Sequence, residues 1–496
     1  MLKLKAEKIN ISTGNIWTAV LNKDTAHKLD LHPGDRIELC VVNGKRGACE
    51  LNVILEVSDR GFNHKIGLFA ETWKKLNVKK GDTIEVKRSV KPDSLIFIRE
   101  KLMGKPLTAK KIDEIIKDVV AEDLSMVEIA YFVSGAMIHG LSDTETVNLT
   151  KSIVRNGSQL HFGKGEIVLD KHCIGGVPGN RTTMIIIPIC TSLGLTMPKT
   201  SSRAITSPAG TADTMEAMCE VAVPAPELMK IAKKIGGFIA WGGGVDLAAA
   251  DDKMIKARHP LSLDPEGMLL ASIMAKKFAA GSNHVLIDIP VGPQVKIKDK
   301  KKGRHLKKRF EQIGKMLKMK TKVILTDGEE PIGRGIGPAL EARDVMDTLS
   351  GKNVSTDLRE KALTMAGILL EMCKKAKKGK GYEMARVQLD SGAAYEQMIK
   401  IIEAQGKKTL RPKVGKLKRT IKAKKSGKIT YINNKLISRI ARVAGAPKSA
   451  GSGLWLDKKL GDKVKRGDVL YTIYSDSKER INNAAKFAKE NPYHIH

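Results

Sequence analysis

Aromatic residues make up only 4% of this 496-residue chain, which withholds the stacking platforms on which single-stranded nucleic-acid binders rely. Cysteine is sparse too. Cys40, Cys49, Cys173, Cys190, Cys219 and Cys373 form no C-x-x-C pair and have no matching His spacing. Neither a disulfide framework nor a zinc site is signalled, and free thiols are expected. Long apolar runs are missing: Met184 to Cys190 falls far short of the roughly 20 residues a membrane helix needs. The N-terminal MLKLKAEKIN lacks an apolar secretory core, so a soluble cytoplasmic protein is expected. Acidic residues are outnumbered, 54 against 87 Lys and Arg, for a net charge of +33. Such a surplus attracts phosphates and polyanions without specifying a fold.

What is present suffices for several cores. With 42% hydrophobic residues, the length suggests about three domains at roughly 150 residues each. The first 90 residues repeat themselves: Leu29, Leu31, Gly34, Asp35, Ile37, Glu38 and Leu39 return as Leu76, Val78, Gly81, Asp82, Ile84, Glu85 and Val86. Each copy reads as short helix, Gly-Asp turn and strand. Neither can bury both faces alone, so two copies interlocked in one small β-barrel are expected over 1–90, a pattern that resembles the double-psi barrels. From Leu107 the period turns helical, with Ile112, Ile115, Ile116, Val119 and Val120 on one stripe. Ser125/Glu128 and Ser142/Glu145 form two capping-box patterns, each with a hydroxyl and a carboxylate three residues apart. A helical bundle is expected over 95–162.

Beyond Gly165, β-like and helical stretches alternate: Ile167 to Asp170, Thr182 to Leu195, Gly237 to Trp241, Val285 to Ile289, Val323 to Asp327 and Pro338 to Leu349. This predicts an α/β domain over 163–248 and 281–406, with ligands at the strand ends. A basic linker from Lys407 then leads into a β-rich part within 407–496.

The sharpest chemical signal is a strand, a glycine loop and a helix start: Lys171, His172, Cys173, Gly175, Gly176, Gly179, Thr182 and Thr183. Glycines admit backbone N–H groups to an anion, the helix N-terminus faces it, and Lys171 adds full charge. No Gly-Lys-Ser/Thr follows, so this is not a P-loop. A second stretch, Ser201 to Glu216 with Ser202, Arg203, Thr206, Ser207, Gly210 and Thr211, offers hydroxyls and a guanidinium for a phosphate; a solvated Ser/Thr loop explains the composition equally well. Gly333-Arg-Gly335-Ile-Gly337 imitates a dinucleotide fingerprint, but its third glycine comes one residue early, and it reads better as a turn against the sheet.

These two motifs, with Leu247 to Asp251 and Ser272 to Lys277 in the same order, resemble the thymidine and pyrimidine-nucleoside phosphorylase family from about Leu95 onward. The resemblance implies that residues around 250–280 join the helical domain. It places Lys171, Cys173, Thr183, Ser201 and Thr211 at the phosphate, and Arg258, Ser272 and Lys276 at the base. Cys173 stands where serine is usual, and a thiol is a weak donor. Pro178, Pro208, the Lys296 that ends Pro290 to Lys296, and the extra N-terminal barrel are similar to the archaeal AMP phosphorylase subgroup. That subgroup implies a nucleoside 5′-monophosphate substrate contacted by Gly176, Ser202, Arg203, Ala204, Ile205, Thr206, Ser207, Thr211, Ser272 and Lys296.

The implied reaction is phosphorolysis of AMP, with CMP and UMP open as further substrates, giving free base and ribose 1,5-bisphosphate. Asp264 falls on the subgroup's proton donor, for which burial would have to raise its pKa; locally it reads equally well as a cap for the following helix. His172 is the rival acid. Inorganic phosphate is a co-substrate, no cofactor or metal is expected, and a homodimer or larger homo-oligomer is implied. Three alternatives stay open: a pyrimidine-nucleoside phosphorylase, a Mg²⁺-dependent phosphoribosyltransferase using Asp251-Asp252, and nucleic-acid binding by Lys300 to Lys308 and residues 407–425.

Overall fold

The computed structural model describes residues 2–14, 16–42, 50–204, 207–245 and 247–496. The chain divides into two compact units, Met1–Glu100 with Lys117–Phe132, and Lys101–Ile116 with Val133–His496.

In the first unit the two repeats close into a six-stranded barrel. Helix Lys23–Lys28 leads to strand Arg36–Val41, and helix Ala70–Leu76 to strand Thr83–Arg88. The turns between them are alike for a physical reason. Gly34 and Gly81 take φ of +89° and +88°, a region closed to most side chains. Asp35 and Asp82 accept the backbone N–H of His32 and Lys79, both at 2.8 Å. The repeat strands then pair antiparallel, with Leu39 opposite Val86 and Ile37, Leu39, Ile84 and Val86 fully buried.

The second unit carries the site. Helix Asp143–Arg155 starts with the expected capping box of Ser142 and Glu145. Helix Glu266–Ala279 packs along it; at Gly267 an added Cβ would lie 2.6 Å from the Cβ of Leu141, so the crossing needs glycine. Beside these helices, strand His284–Val291 lies parallel between Leu169–Cys173 and Lys320–Asp327. A parallel pair, Met197–Ser201 with Gly237–Trp241, joins through the bridge from Val168 to Thr196. Helices Thr182–Ser192, Pro338–Leu349 and Thr356–Met372 contribute to one apolar core with this sheet.

One sequence expectation needs correction and another gains detail. The basic segment after Lys407 is not simply a linker, because Leu417–Lys422 is a strand paired antiparallel with Val469–Ser475. The C-terminal part is β-rich but also packs two amphipathic helices, Asn434–Ala444 and Lys478–Ala488, against its sheets. Gly335–Ile336 pairs with Gly453–Leu456, which confirms the glycine-rich Gly333 to Gly337 stretch as backbone against a sheet. Cys40, Cys173, Cys190, Cys219 and Cys373 are free thiols; Cys49 lies outside the described residues. Among the described residues, no helix is long and apolar enough to cross a membrane.

Candidate active site

The bridge from Val168 to Thr196 joins the amino ends of two neighbouring parallel strands. Three residues further along each strand, Lys199 Nζ donates to the Lys171 carbonyl at 3.0 Å, and Cys173 and Ser201 end the two strands. Two expected phosphate residues thus stand at the carboxyl ends of neighbouring strands.

Past Cys173 the chain turns sharply. Gly175 and Gly176 both have φ of +99° and Gly179 has +71°. A Cβ on Gly176 would lie 2.9 Å from the Lys296 nitrogen, and one on Gly179 would lie 2.3 Å from the Ile332 carbonyl. The loop therefore hugs the backbone on two sides before helix Thr182–Ser192 begins without a side-chain cap, a geometry suited to cradling an anion. Lys171 is buried, with its Nζ 2.9 Å from Thr182 Oγ1 and 3.7 Å from Asp288 Oδ2. Burial lowers its pKa, and the Asp288 charge opposes that shift. Asn180 takes a hydrogen bond from Thr182 at 3.0 Å and donates to Cys173 Sγ at 3.4 Å. Burial, seconded by Asp288, pushes the Cys173 thiol up to about 11, so it stays protonated and neutral.

The Ser201 to Glu216 stretch folds back on itself. A Cβ on Gly210 would lie 2.5 Å from the Ser202 carbonyl, and Asp213 accepts the backbone N–H of Ala204 at 2.7 Å and of Gly210 at 2.8 Å. Thr211 is tied to the glycine loop by Arg181, whose Nη1 reaches Thr211 Oγ1 at 3.2 Å and whose Nη2 reaches the Ala209 carbonyl at 2.7 Å. The same guanidinium pairs with buried Glu341. Arg203, expected at the nucleotide, is committed within the protein: it pairs with Glu216, lies 3.5 Å from Asp213 and stacks 4.9 Å from the Trp241 ring. Ser202, Ala204 and Ser207 border the same loop, Ser207 donating to the Ala209 carbonyl. Ile205 and Thr206 lie outside the described residues.

The base-side residues form two clusters. Ser272 donates to Asp251 at 2.7 Å, and Lys276 sits 2.7 Å from the same carboxylate oxygen. Burial works against the Lys276 charge, but Asp251 and Asp252 outweigh it and raise its pKa. Asp264 carries Arg258 at 3.0 Å on one oxygen and Lys296 at 3.3 Å on the other. Its side chain is 37% exposed, so the burial expected of a proton donor is not found in this arrangement. It does not cap helix Glu266–Ala279 either, which starts without a side-chain cap. His172 also departs from expectation. Burial first, then Lys277, Lys199, Lys171 and Lys276, drive its pKa well below 6.5, although the residue as a whole is only half-buried. A neutral imidazole among lysines cannot supply a proton as imidazolium at neutral pH.

Several participants were missed from sequence: Asp170, Arg181, Lys199, Lys277, Asp288, Glu341 and Lys361. Asp170 and Asp288 had a readable signal, a lone carboxylate inside an apolar parallel strand, which requires a buried partner. Asp288 has two, Lys171 and Lys361, the latter at 3.5 Å. They outweigh the effect of burial and hold its pKa below the usual range.

A helical bundle beside a parallel sheet, with a glycine loop and a buried lysine at the strand ends, is the layout of a glycosyl transferase. Family models bear this out. The glycosyl transferase family helical bundle domain matches residues 96–157, and the pyrimidine nucleoside phosphorylase C-terminal domain matches residues 428–495. The chain is 39% identical to an AMP phosphorylase of Methanococcus vannielii over 493 residues, covering 99% of this chain and 96% of the relative. It is 40% identical to the AMP phosphorylase of Pyrococcus furiosus over 489 residues, covering 98% and 96%. Among solved structures, anthranilate phosphoribosyltransferase from Thermus thermophilus superposes with a TM-score of 0.52 at 16% identity, over 62% of this chain and 98% of that one. The Saccharomyces cerevisiae enzyme with PRPP and Mg gives 0.52 at 14%, over 63% and 98%; both likenesses concern the fold alone. The chain belongs to the AMP phosphorylase family.

Proposed function

We propose that this protein cleaves AMP with inorganic phosphate, releasing adenine and ribose 1,5-bisphosphate. The observation that carries the reading is the cradle itself: Lys171 bonds to Thr182 where the Gly175 to Gly179 loop enters helix Thr182–Ser192, Ser201 ends the neighbouring strand, and Arg181 ties in Thr211. Full-length likeness to named AMP phosphorylases supports it. An orthophosphate held by Lys171, Thr183, Ser201 and Thr211 presents an oxygen to C1′. Its negative charge opposes the positive charge that develops there as the C1′–N bond breaks, and fixed placement supplies the orientation. The electron pair of that bond leaves with adenine, which takes a proton.

Asp264 is the preferred donor, since His172 is neutral. Its carboxylate must take a proton and loosen its pairs with Arg258 and Lys296 as the base arrives. Lys296 can then turn to the 5′-phosphate. In this reading Ser272 and Lys276, both held by Asp251, contact the nucleotide. The phosphoribosyltransferase alternative is weakened by that same Asp251, whose carboxylate is already engaged by Ser272 and Lys276 rather than open to a Mg²⁺ ion. No cofactor or metal enters this scheme, CMP and UMP are further candidate substrates, and a homodimer or larger homo-oligomer follows from the family resemblance. The test is AMP incubated with the purified protein, with and without orthophosphate. Adenine and a sugar bisphosphate should form only with it. Equal adenine release without phosphate would make the protein a hydrolase and overturn the reading.

A further inference from the structure

Behind the cradle lies a group of charges of which the reaction above uses only Lys171. Asp170, fully buried, is shared by two ammonium groups: Lys199 at 3.1 Å and Lys277 at 2.7 Å, both nearly excluded from solvent. Asp288 is shared in the same way by Lys171 and Lys361. Lys199 also holds the backbone carbonyl of Lys171 at 3.0 Å. It stands two residues before Ser201 on the same strand, hence about 7 Å away along one face. The titratable and charged groups facing Lys199 are Asp170, Lys171 and His172 from strand Leu169–Cys173 and Lys277 from helix Glu266–Ala279, with Lys276 beside them.

Two ammonium groups on one buried carboxylate leave a positive charge uncompensated, and a protein interior relieves it either by releasing a proton or by admitting an anion. We propose that Lys199 is a positioning residue of the phosphate site whose ammonium is completed by bound phosphate dianion, so that phosphate binding and protonation of Lys199 are one coupled event. The inference rests on the phosphate-site reading above. The proton comes from solvent to the Lys199 amine, and no covalent bond changes. Burial, with Lys277 adding to it against the pull of Asp170, brings the Lys199 pKa down to about 7, which places the coupling near neutrality. Below that range Lys199 is charged before phosphate arrives. Above it, binding must first recruit a proton, so affinity falls as pH rises.

The experiment measures the Kd of orthophosphate by titration calorimetry, without nucleotide, from about pH 6 to about pH 9. It compares wild type with Lys199→Met, which keeps side-chain volume and leaves Asp170 paired with Lys277 alone. Phosphate's own ionisation is common to both proteins and cancels in the ratio of their Kd values. The variant should bind about tenfold more weakly at the acid end, with the ratio narrowing toward one at the alkaline end. Lys199→Arg, charged at every pH, should bind phosphate more tightly than wild type at the alkaline end. A ratio independent of pH would assign Lys199 a purely structural role and overturn the proposal. Should neither variant fold, sulfate titrated into wild type near neutral pH in buffers of different ionisation enthalpy decides: proton uptake supports the coupling, and binding without uptake refutes it. Failure of wild type to bind phosphate at any pH would instead strike the phosphorolysis reading, and is thereby distinguishable.

Discussion

Asp264 shows how a single carboxylate can be read two ways from sequence and take a third course in the fold. Neither a helix cap nor a buried acid, it is the meeting point of Arg258 and Lys296. Asp264→Asn keeps the shape and removes the exchangeable proton, so adenine release should fall by about 10²- to 10⁴-fold while AMP binding stays measurable. Near-wild-type turnover would remove the acid role. His172, held neutral by burial and four lysines, should contribute no ionisation to the rate around pH 6.5. Because its folded pKa lies below the ordinary value, its charged form would appear only in more acidic solution. His172→Asn should therefore leave the shape of the rate–pH profile across neutrality unchanged; loss of an inflection would restore His172 as the acid. Lys171, Thr183, Ser201 and Thr211 lie in glycine and hydroxyl motifs that the sequence displays because they are local, and the family resemblance assigns them to phosphate. Lys199 and Lys277 were not, since their meaning lies in a carboxylate contributed by another strand.

At the level of elements, the repeat and both capping boxes were legible because each is a local pattern with one low-energy outcome. Strand Met197–Ser201 escaped notice because Pro198 and Lys199 interrupt its apolar character, and that lysine is tolerated only through Asp170. Strand Leu417–Lys422 was hidden for the opposite reason: it is an exposed sheet edge, where lysines protect against unwanted pairing and look like a linker. The glycine loop yields a sharp comparison. Gly179 has φ of +71° and would place a Cβ 2.3 Å from the Ile332 carbonyl, whereas Gly165 has φ of +84° with nothing within 4 Å. Gly165→Ala should cost only backbone strain, about 1 kcal/mol in denaturant unfolding. Gly179→Ala adds a displaced backbone, so it should cost about 3 kcal/mol and raise the KM for phosphate. Equal costs for the two would show that the loop does not rely on the close approach to Ile332.

For the whole molecule, the net charge of +33 was read first as a general affinity for anions. The fold gives part of it a specific address, with two buried carboxylates each shared by two lysines beneath the cradle. Composition could announce the surplus but not where it is buried, because pairing across parallel strands is set by register. The fold class was recoverable because a repeat, a helical period and a strand–helix alternation follow one another along the chain; the two helices of the C-terminal part were masked by its glycine-punctuated strands. The central claim is that phosphate bound at this address attacks C1′ directly. Orthophosphate labelled with ¹⁸O on all four oxygens, reacted with AMP in ordinary water, tests it by mass analysis of the sugar product. The account predicts that the C1 phosphate retains every label, including the oxygen bridging to carbon. A C1 oxygen drawn from water, or a sugar product without label, would contradict it.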